Sequence, residues 1–314
     1  MGLFSGGGIY STGTLTIANS TISGNTVGLG SFLLDRGEGG GIIIVDGLAT
    51  VISSTVSGNS ANALGGGIAN AGSLTLTNVT VSGNSAGANG GGVANGFYLG
   101  PRAAELTLTN VTISGNSASS GGGIYNYPTA SVEMTNTMMV NSAAGDGCFG
   151  AINSAGDNLE DGDTCGLRGP GDIVNAVPLL GPLADNGGPT QTHALLAGSP
   201  AVDAANNSGC PAADQRGVAR PLDGDGDGSA ACDSGAYEAE GLLRRGDADC
   251  DGVVGAVDAL LALRRLAGLQ PYAACIGAAT VDCDLDTDAV DALFILRHVA
   301  ALPVDLPQGC PPIG

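Results

Sequence analysis

Glycine triplets recur through the first 145 residues at the interval of one short structural unit. They are separated by 33, 26, 25 and 31 residues, and each is followed by a short apolar run. An alternating segment such as Leu74–Val81 comes next, and each unit ends on Ser-Gly-Asn or its equivalent. A unit of this length is too short to fold alone, so the chain must be built from units that stack. The triplets are Gly6–Gly8, Gly39–Gly41, Gly65–Gly67, Gly90–Gly92 and Gly121–Gly123.

The alternation of β-branched and small polar residues within each unit predicts short strands. Because one unit cannot bury its own apolar face, successive units must pair as parallel strands about 4.8 Å apart. Equivalent residues then form ladders, with Leu, Ile and Val inside, asparagine amides chained along the turns, and glycine at positive φ in the corners. We therefore predict an all-β, right-handed parallel β-helix over residues 1–145, a solenoid with about five coils.

The end of each unit resembles the repeats of polymorphic outer-membrane proteins and other right-handed β-helix surface proteins. The resemblance covers nearly half of the chain and implies the β-helix fold and a bacterial cell-surface or secreted location. The chain begins within a repeat and shows no export signal, so we expect a signal peptide and further coils upstream. Where that family has Phe-x-x-Asn, this chain has Ile22–Asn25, Val56–Asn59, Val81–Asn84, Ile113–Asn116 and Met138–Asn141.

Residues 146–240 differ in composition, with more Pro and Asp and four scattered cysteines. Their ordered motifs resemble the choice-of-anchor Q domain, a module that follows β-helix repeats in bacterial surface proteins and precedes exchangeable anchoring elements. We expect this region to be an irregular cap over the open end of the solenoid, which stacked repeats require. The motifs are Leu195–Asp203, Cys210–Gly217, Asp223–Gly228 and Cys232–Glu238.

After a linker at residues 241–245, residues 246–314 contain a second repeat with an offset of 33 residues. Each copy is an acidic loop followed by an amphipathic helix, which predicts a small all-α, EF-hand-like domain. The apolar residues at helical spacing are Leu260, Leu263 and Leu266 in one copy and Leu293, Leu296 and Val299 in the other.

Carboxylates in both loops have the spacing of an EF-hand loop, which offers Ca²⁺ oxygens from its positions 1, 3, 5, 7, 9 and 12. The predicted ligands in the first loop are Asp247, Asp249, Asp251, the carbonyl of Val253, and Asp258. Those in the second loop are Asp282, Asp284, Asp286, Asp288 and Asp291. The second loop has Thr280 at position 1 and Leu285 at position 6, so we expect weaker binding there. A third candidate, with a solvated acidic turn as its alternative, is the series Asp223, Asp225 and Asp227.

These duplicated loop–helix pairs, with Asp rather than Glu at the last ligand position, resemble type I dockerin modules. The resemblance implies a Ca²⁺-dependent tether that docks on a cohesin module through residues at the helix starts. The usual Ser-Thr recognition pair is replaced by Ala256–Val257 and Ala289–Val290. A cohesin-like partner is therefore expected to differ from the familiar cellulosomal type, and an internal structural role is the alternative.

Eight cysteines favour an extracellular protein with disulfides. Nearest-neighbour pairing predicts Cys148–Cys165 and Cys210–Cys232. Repeat symmetry favours Cys250–Cys275 and Cys283–Cys310, although four cysteines allow three sets of pairs. A zinc site is disfavoured because neither Cys-x-x-Cys nor His-x-x-x-His spacing occurs.

The charge of the chain limits its partners. Thirty acidic residues against ten basic ones give a net charge of −20, which argues against nucleic acid as a partner because phosphate binding needs clustered cations. Residues 1–145 carry only five of the acids, so most of the charge belongs to the later regions. No apolar stretch is long enough to span a membrane.

Two functions remain open at this level. The first is a non-catalytic secreted or cell-surface protein, adhesin-like or structural, that contacts a glycan or protein, with pure scaffolding by end-to-end stacking as a variant. The second is a polysaccharide-active enzyme, since many parallel β-helices are pectate lyases or glycoside hydrolases. The coils have scattered acids and no Lys or Trp, and His193 and His298 are expected to be structural, so no catalytic residue is assigned.

Overall fold

The computed structural model describes residues 7–28, 37–96, 103–140, 142, 144–225, 229–240, 246–248, 254–269, 281, 287–306, 310 and 313. These residues form mostly parallel β-sheet and two helices, α1 (Ala256–Leu266) and α2 (Ala289–Val299). The strands are β1 (Ile9–Ser11), β2 (Leu15–Ala18), β3 (Thr21–Ser23), β4 (Thr26–Val27), β5 (Ile42–Ile44), β6 (Leu48–Ser57), β7 (Ser60–Ala61), β8 (Ile68–Asn70), β9 (Ser73–Ser82), β10 (Ser85–Ala86), β11 (Val93–Asn95), β12 (Glu105–Thr109), β13 (Thr112–Ser114), β14 (Ile124–Asn126), β15 (Ser131–Thr135), β16 (Met138–Val140), β17 (Cys148–Phe149), β18 (Asn153–Gly156), β19 (Leu159–Glu160), β20 (Leu180–Ala184) and β21 (Thr192–Leu195).

Each strand of the repeat region pairs in parallel with the equivalent strand of the next unit. A six-stranded sheet has the order β1-β5-β8-β11-β14-β17, and a three-stranded sheet has the order β10-β7-β4. The register keeps equivalent residues together, as with Ile42 opposite Ile68 and Val93 opposite Ile124. The prediction that the units stack as parallel strands is confirmed.

A larger, ten-stranded sheet is bent into two arms. Strands β6 and β9 run through the bend, where Ser53 and Asn78 adopt positive φ of 45° and 52°. Before the bend, the first arm pairs β2, β6, β9, β12 and β15; after it, the second arm pairs β3, β6, β9, β13 and β16. The sheet therefore curls around the core, and its two arms present separate outer faces.

Alternation along the strands puts every second side chain into the core. Leu76 and Leu108 lie opposite each other and are fully buried, whereas their neighbours Thr75 and Thr107 lie on the outer face. Burying one such side chain stabilises the fold by about 1.5–3 kcal/mol relative to leaving it exposed. The stacked apolar rows are therefore the main source of stability in this region.

Asparagine side chains form a hydrogen-bonded ladder at the end of each unit, as predicted. The Oδ1 of Asn59 accepts the backbone N–H of Asn25 at 3.0 Å and its side-chain amide at 2.9 Å. Asn84 accepts the same two bonds from Asn59, and Asn116 accepts them from Asn84, at 2.9 to 3.0 Å. Asn141, the expected fifth member, lies outside the described residues. A second ladder consists of Asn70, Asn95 and Asn126.

The corners of the units require glycine. Gly39 has a φ of +67°, and a Cβ on Gly40 would lie 2.3 Å from the carbonyl oxygen of Gly66 in the next unit. Any side chain there would separate the stacked units, because the backbones approach too closely for a Cβ. This close approach is the physical reason for the glycine triplet.

Residues 146–240 cover the side of the stack more than its end. β17, β18 and β19 do extend the stack, by pairing with β14, β15 and β16. Residues 178–240 are here called the side strap, and its described residues, 178–225 and 229–240, instead lie along the second arm. Its hydrogen bonds reach from the carbonyl of Asp157, near the end of the stack, back to that of Ser53 in β6. The cap over the open end of the stack stays a prediction, and the described contacts of the strap lie along the side of the stack.

The two C-terminal helices pack through alanines rather than leucines. Ala259, Ala262 and Ala292 are each 1% exposed, and Ile295 is fully buried. An amphipathic helix normally buries its apolar stripe, but here the stripes lie at the surface. The exposed apolar side chains, 40% to 55% accessible, are Val257, Leu260, Leu263, Leu266 and Leu269 around α1, and Val290, Leu293, Leu296, Val299 and Leu302 around α2.

Candidate functional site

The two acidic loops are held to their helices by one carboxylate each. Asp258 accepts the backbone N–H of Ala248 at 2.7 Å on Oδ1 and that of Gly255 at 2.6 Å on Oδ2. In the second repeat, Asp291 accepts the backbone N–H of Val281 at 2.5 Å on Oδ1 and that of Asp288 at 2.8 Å on Oδ2. The last ligand position of each loop therefore contacts the backbone N–H of its second position.

The predicted Ca²⁺ ligands that the structure describes differ in how deeply they are buried. Asp247, Asp258 and Asp291 are each at most 1% exposed. Asp288 is half-buried and acts as the N-cap of α2, accepting the N–H of Val290 at 2.6 Å. Buried carboxylates need compensating charge or hydrogen bonds, and an oxygen-only donor set suits a hard cation. The other predicted ligands, which lie outside the described residues, are Asp249, Asp251, Val253, Asp282, Asp284 and Asp286.

A second group of carboxylates lies in the side strap. Oxygens of Asp203, Asp223 and Asp225 lie within 4.8 Å of one another, with Asp225 exposed and the other two half-buried. Asp227, the third member of the predicted series, lies outside the described residues. Three carboxylates at one point can supply part of the six to eight oxygens that Ca²⁺ takes, with backbone and water completing the shell.

Asp203 was missed by the sequence reasoning because it lies twenty residues before the acidic series. Its Oδ2 accepts the backbone N–H groups of Gly224 and Asp225, at 3.0 and 2.9 Å. Burial raises the pKa of Asp203 above its usual range, although these N–H donors act in the opposite direction. No local pattern marks this residue, since only the folding of the strap brings it to the turn.

The centre of the side strap is a buried ionic network. Arg220 and Glu238 have fully buried side chains, with Nε and Oε2 3.2 Å apart. The guanidinium of Arg220 also donates to the carbonyls of Asp233 and Gly235, at 3.2 and 2.9 Å. Burial raises the pKa of Glu238 despite its arginine partner, because desolvation outweighs the attraction between the two charges. Burial and the nearby Glu238 raise the pKa of Asp233 to about 8.

Arg216 extends this network toward the surface. Its Nε lies 2.8 Å from Oδ2 of the buried Asp214, and its guanidinium lies over the ring of Tyr237, 3.7 Å from the ring centroid. A terminal nitrogen lies 2.9 Å from the carboxylate of the exposed Glu240. Both arginines of this network are paired with carboxylates of the strap, which is typical of a structural network.

Polar side chains join the side strap to the second arm. Thr80 donates to Oε1 of Gln215 at 2.7 Å, and Gln215 in turn donates to the hydroxyl of Thr55 at 2.9 Å. The ring of His193 lies between Ser82, 2.9 Å from Nε2, and the carbonyl of Gly181, 2.8 Å from Nδ1. Burial lowers the pKa of His193 below its usual value, so the ring is neutral at pH 7. Nδ1 must then carry the proton that the carbonyl accepts, and Nε2 accepts the serine hydroxyl.

These contacts support the interpretation of His193 as structural. Both ring nitrogens are engaged and the side chain is 9% exposed, which leaves no free face for a substrate. His298 lies exposed in the last turn of α2.

Two predicted disulfides are confirmed and two are not described. Cys148–Cys165 and Cys210–Cys232 are both formed. Cys310 is disulfide-bonded, and its sulfur lies 3.6 Å from the carbonyl oxygen of Val281, two positions before Cys283. Cys250, Cys275 and Cys283 lie outside the described residues, so the pairings of the C-terminal repeat stay predictions.

A cleft of about 340 Å³ lies beside the first arm. Its lining includes two carboxylates, Asp46 and Glu105, together with Ser73, whose hydroxyl lies 3.4 Å from Glu105. Among the residues described around this cleft there is no basic side chain, which a lyase of acidic sugars needs to stabilise a developing negative charge.

Within the described part of the chain, no helix has both the length and the apolar character needed to cross a membrane. Comparison of the chain with protein-family models, curated proteins and solved structures finds no match.

Proposed function

We propose that the chain is a non-catalytic secreted or cell-surface protein whose stacked units form a right-handed parallel β-helix, tethered by a Ca²⁺-dependent, dockerin-like module at its C terminus. The exposed apolar stripes of α1 and α2 carry this proposal. A contiguous apolar surface on a soluble module is typical of a protein-docking site. The disulfides support an extracellular location.

The proposed partner of the module is a cohesin-like protein with an apolar docking face. An amphipathic helix binds a partner through apolar residues three or four positions apart, which is the spacing of Leu260, Leu263 and Leu266. The stripe on each helix starts at the second residue of the helix, Val257 or Val290, where a hydroxyl residue serves in the resembled family. At the start of each helix, an apolar valine would therefore contact the partner where a hydroxyl residue does so in the resembled family.

Calcium in this proposal organises the loops that hold the helices. With an ion bound, the negative charge on the buried Asp247 and Asp258 would be neutralised without protonation. The equivalent role in the second loop belongs to Asp291. We propose a further Ca²⁺ ion at Asp203, Asp223 and Asp225, where it would tie the acidic turn to the rest of the side strap.

Calcium binding is tested by titration calorimetry on the full chain after EDTA treatment. Asp258→Asn should remove the loop ion, and Asp225→Asn should remove the strap ion, so each variant binds fewer ions than the unmodified chain. Asp163→Asn, at an exposed aspartate paired with Arg168, is the matched control and should leave the stoichiometry unchanged. If no ion binds to the unmodified chain, the calcium-dependent tether is wrong.

Docking is tested by binding the full chain to a panel of immobilised cohesin modules in the presence and absence of Ca²⁺. Because the module is duplicated, Leu260→Glu and Leu293→Glu are combined, and we expect the double variant to lose binding. Leu48→Glu is the control, since Leu48 is 51% exposed on the coils. Binding that depends neither on Ca²⁺ nor on Leu260 and Leu293 would contradict the assignment of the helix stripes as the docking surface.

The cleft at Asp46 and Glu105 favours a second candidate, a polysaccharide-active enzyme delivered by the same tether. Two carboxylates in a cleft are the minimum for glycoside hydrolysis. Incubation with pectins, alginates and neutral glycans at millimolar Ca²⁺ distinguishes the two functions. Steady release of reducing or unsaturated ends that is lost in Asp46→Asn and Glu105→Gln would replace the non-catalytic proposal.

A further inference from the structure

The outer face of the first arm carries two straight rows of threonine. The register of β2, β6, β9, β12 and β15 aligns equivalent outward residues without a shift. Seven of the ten positions are threonine, and one is charged. One row is Thr16, Thr50, Thr75, Thr107 and Glu133, and the other is Ala18, Ile52, Thr77, Thr109 and Thr135.

The backbone fixes the spacing of this threonine face. Neighbouring strands of a sheet lie about 4.8 Å apart, and residues two positions apart along a strand lie about 6.7 Å apart. Threonine is β-branched and therefore stiff about χ1, so the hydroxyl and methyl groups are held in place. Between the two rows lies a core row, which includes the fully buried Leu76 and Leu108 and anchors the sheet from below.

Among the described residues, the strap leaves most of the threonine face uncovered, in contrast to the outer face of the second arm. Only at the end of one row does strap residue Gly209 lie next to the methyl group of Thr135. The strap's hydrogen bonds go to second-arm or bend residues such as Asn78, Thr80 and Ser82. The threonines of the two rows are half-buried or exposed, with Thr16 and Thr107 the most open. The same strands thus present one face that is used for intramolecular contact and one that faces solvent.

We propose that the threonine face binds ice. A rigid rectangular array of hydroxyl and methyl groups, with this spacing, is similar in scale to the repeat of oxygen atoms on the prism face of ice. The hydroxyls replace lattice hydrogen bonds, and the methyl groups occupy the gaps between water molecules. This activity is independent of the tether and of its calcium ions.

Charge favours ice over other occupants of this face. Ice is uncharged, and nine of the ten residues in the two rows are uncharged in a chain whose net charge is −20. Charged groups would keep their own hydration shells at the contact. The two rows also contain no aromatic ring on which a sugar could stack.

The test is thermal hysteresis and ice shaping by the full chain, with its disulfides intact. We expect faceted crystals and a measurable gap between melting and freezing. Thr77→Lys, which puts a long charged side chain in the middle of the face, should reduce that gap by more than half. Glu133→Thr, which completes the first row, should widen it.

Thr26→Lys is the matched control, because Thr26 is an exposed strand threonine in the three-stranded sheet. It should retain the full gap, and the far-UV spectra and unfolding curves of all variants should coincide. Absence of ice shaping by the unmodified chain would overturn the proposal. So would equal gaps in Thr77→Lys and Thr26→Lys, or a gap that Glu133→Thr leaves unchanged. Retention on an insoluble glycan without ice shaping would reassign the face to glycan binding.

Discussion

At the scale of single residues, the buried polar groups decide how the coils stay in register. Asn84 is 1% exposed, and its side chain takes part in four hydrogen bonds. Its neighbours Asn59 and Asn116 depend on it, since water cannot reach their amides. A buried hydrogen-bonding group without a partner costs about 1–3 kcal/mol, so the ladder specifies the stacking as strongly as the apolar rows do.

Replacing Asn84 by Ala tests this role. The change leaves the backbone N–H of Asn59 without an acceptor and removes one of the two acceptors of its side-chain amide, the other being the carbonyl of Ile22. We expect the free energy of unfolding to fall by about 3 kcal/mol. Ser119→Ala, at an exposed serine that bonds one carbonyl, should change it by less than about 0.5 kcal/mol. Urea unfolding monitored by circular dichroism measures both values. Equal losses in the two variants would show that the ladder does not determine stability.

The raised pKa of Asp233 predicts a pH dependence of stability. The folded chain keeps a proton on Asp233 up to about pH 8, whereas the unfolded chain releases it near pH 4. The resulting stabilisation is complete at low pH and is lost as the pH rises through this window, by up to about 1.4 kcal/mol per pH unit. Asp233→Asn should therefore show a shallower fall in stability between about pH 5 and pH 7.5.

The control for this measurement is Asp163→Asn. Arg168 holds the pKa of this exposed carboxyl below its usual range, so it does not titrate within the window. Its stability should follow that of the unmodified chain at each pH. Glu238 and Asp203, whose pKa values are also raised by burial, leave a residual slope in Asp233→Asn. Parallel curves for Asp233→Asn and the unmodified chain would contradict the assignment.

At the scale of elements, the C-terminal helices expose their leucine stripes and bury their alanines, which is the reverse of a usual amphipathic helix. The leucine spacing correctly predicts helices, but the interface between α1 and α2 is formed by Ala259, Ala262 and Ala292. Small residues let the two helices approach closely, which leaves the longer side chains outside. The stripe that normally forms a core is therefore exposed on the described helices.

Two neighbouring substitutions in α1 distinguish the two faces. Ala262→Leu should destabilise the module by about 1–3 kcal/mol, because the interface has no room for a larger side chain. Leu263→Ala removes a side chain that is 40% exposed and should change stability by less than about 0.5 kcal/mol. Urea unfolding, followed by the loss of helical circular dichroism, measures the stability change of each variant. The opposite ranking would mean that the leucines form the core.

At the scale of the whole molecule, the side strap gives the two arms of the bent sheet different surroundings. It satisfies the hydroxyls and amides of the second arm, whereas the described threonines on the outer face of the first arm stay exposed or half-buried. Its own interior is ionic rather than apolar, with Arg220 and Glu238 at the centre. Strap attachment is therefore sensitive to single charge changes that leave the coils intact.

Arg220→Met should loosen the side strap selectively. Breaking a buried pair by removing one partner costs about 3–5 kcal/mol, because the remaining charge stays buried. We expect faster amide hydrogen exchange across residues 178–240 and unchanged protection in the Asn ladder. Arg168→Met breaks an exposed pair, worth less than about 1 kcal/mol, and should leave exchange unchanged. Uniform loss of protection in coils and strap would show that the two do not separate.

Local patterns were sufficient for some of these features and not for others. The Asn positions, the glycine corners and the disulfides Cys148–Cys165 and Cys210–Cys232 follow from spacing along the chain, because each depends on neighbouring units or nearby residues. Asp203 in the carboxylate group, the threonine face and the course of the side strap depend on contacts between segments far apart in sequence. No short pattern records such contacts.

The sequence by itself determined that this protein has parallel strands stacked by a repeat, glycine corners, an asparagine ladder and two duplicated loop–helix pairs. These features arise from local geometry, since alternation fixes which side of a strand is buried and repetition fixes which residues meet. Only the tertiary structure decided that the strap covers the second arm, that alanines rather than leucines join the helices, and that Asp203 joins the acidic turn. In each case several faces could have been buried, and the choice depended on which distant surfaces fit together with their polar groups paired.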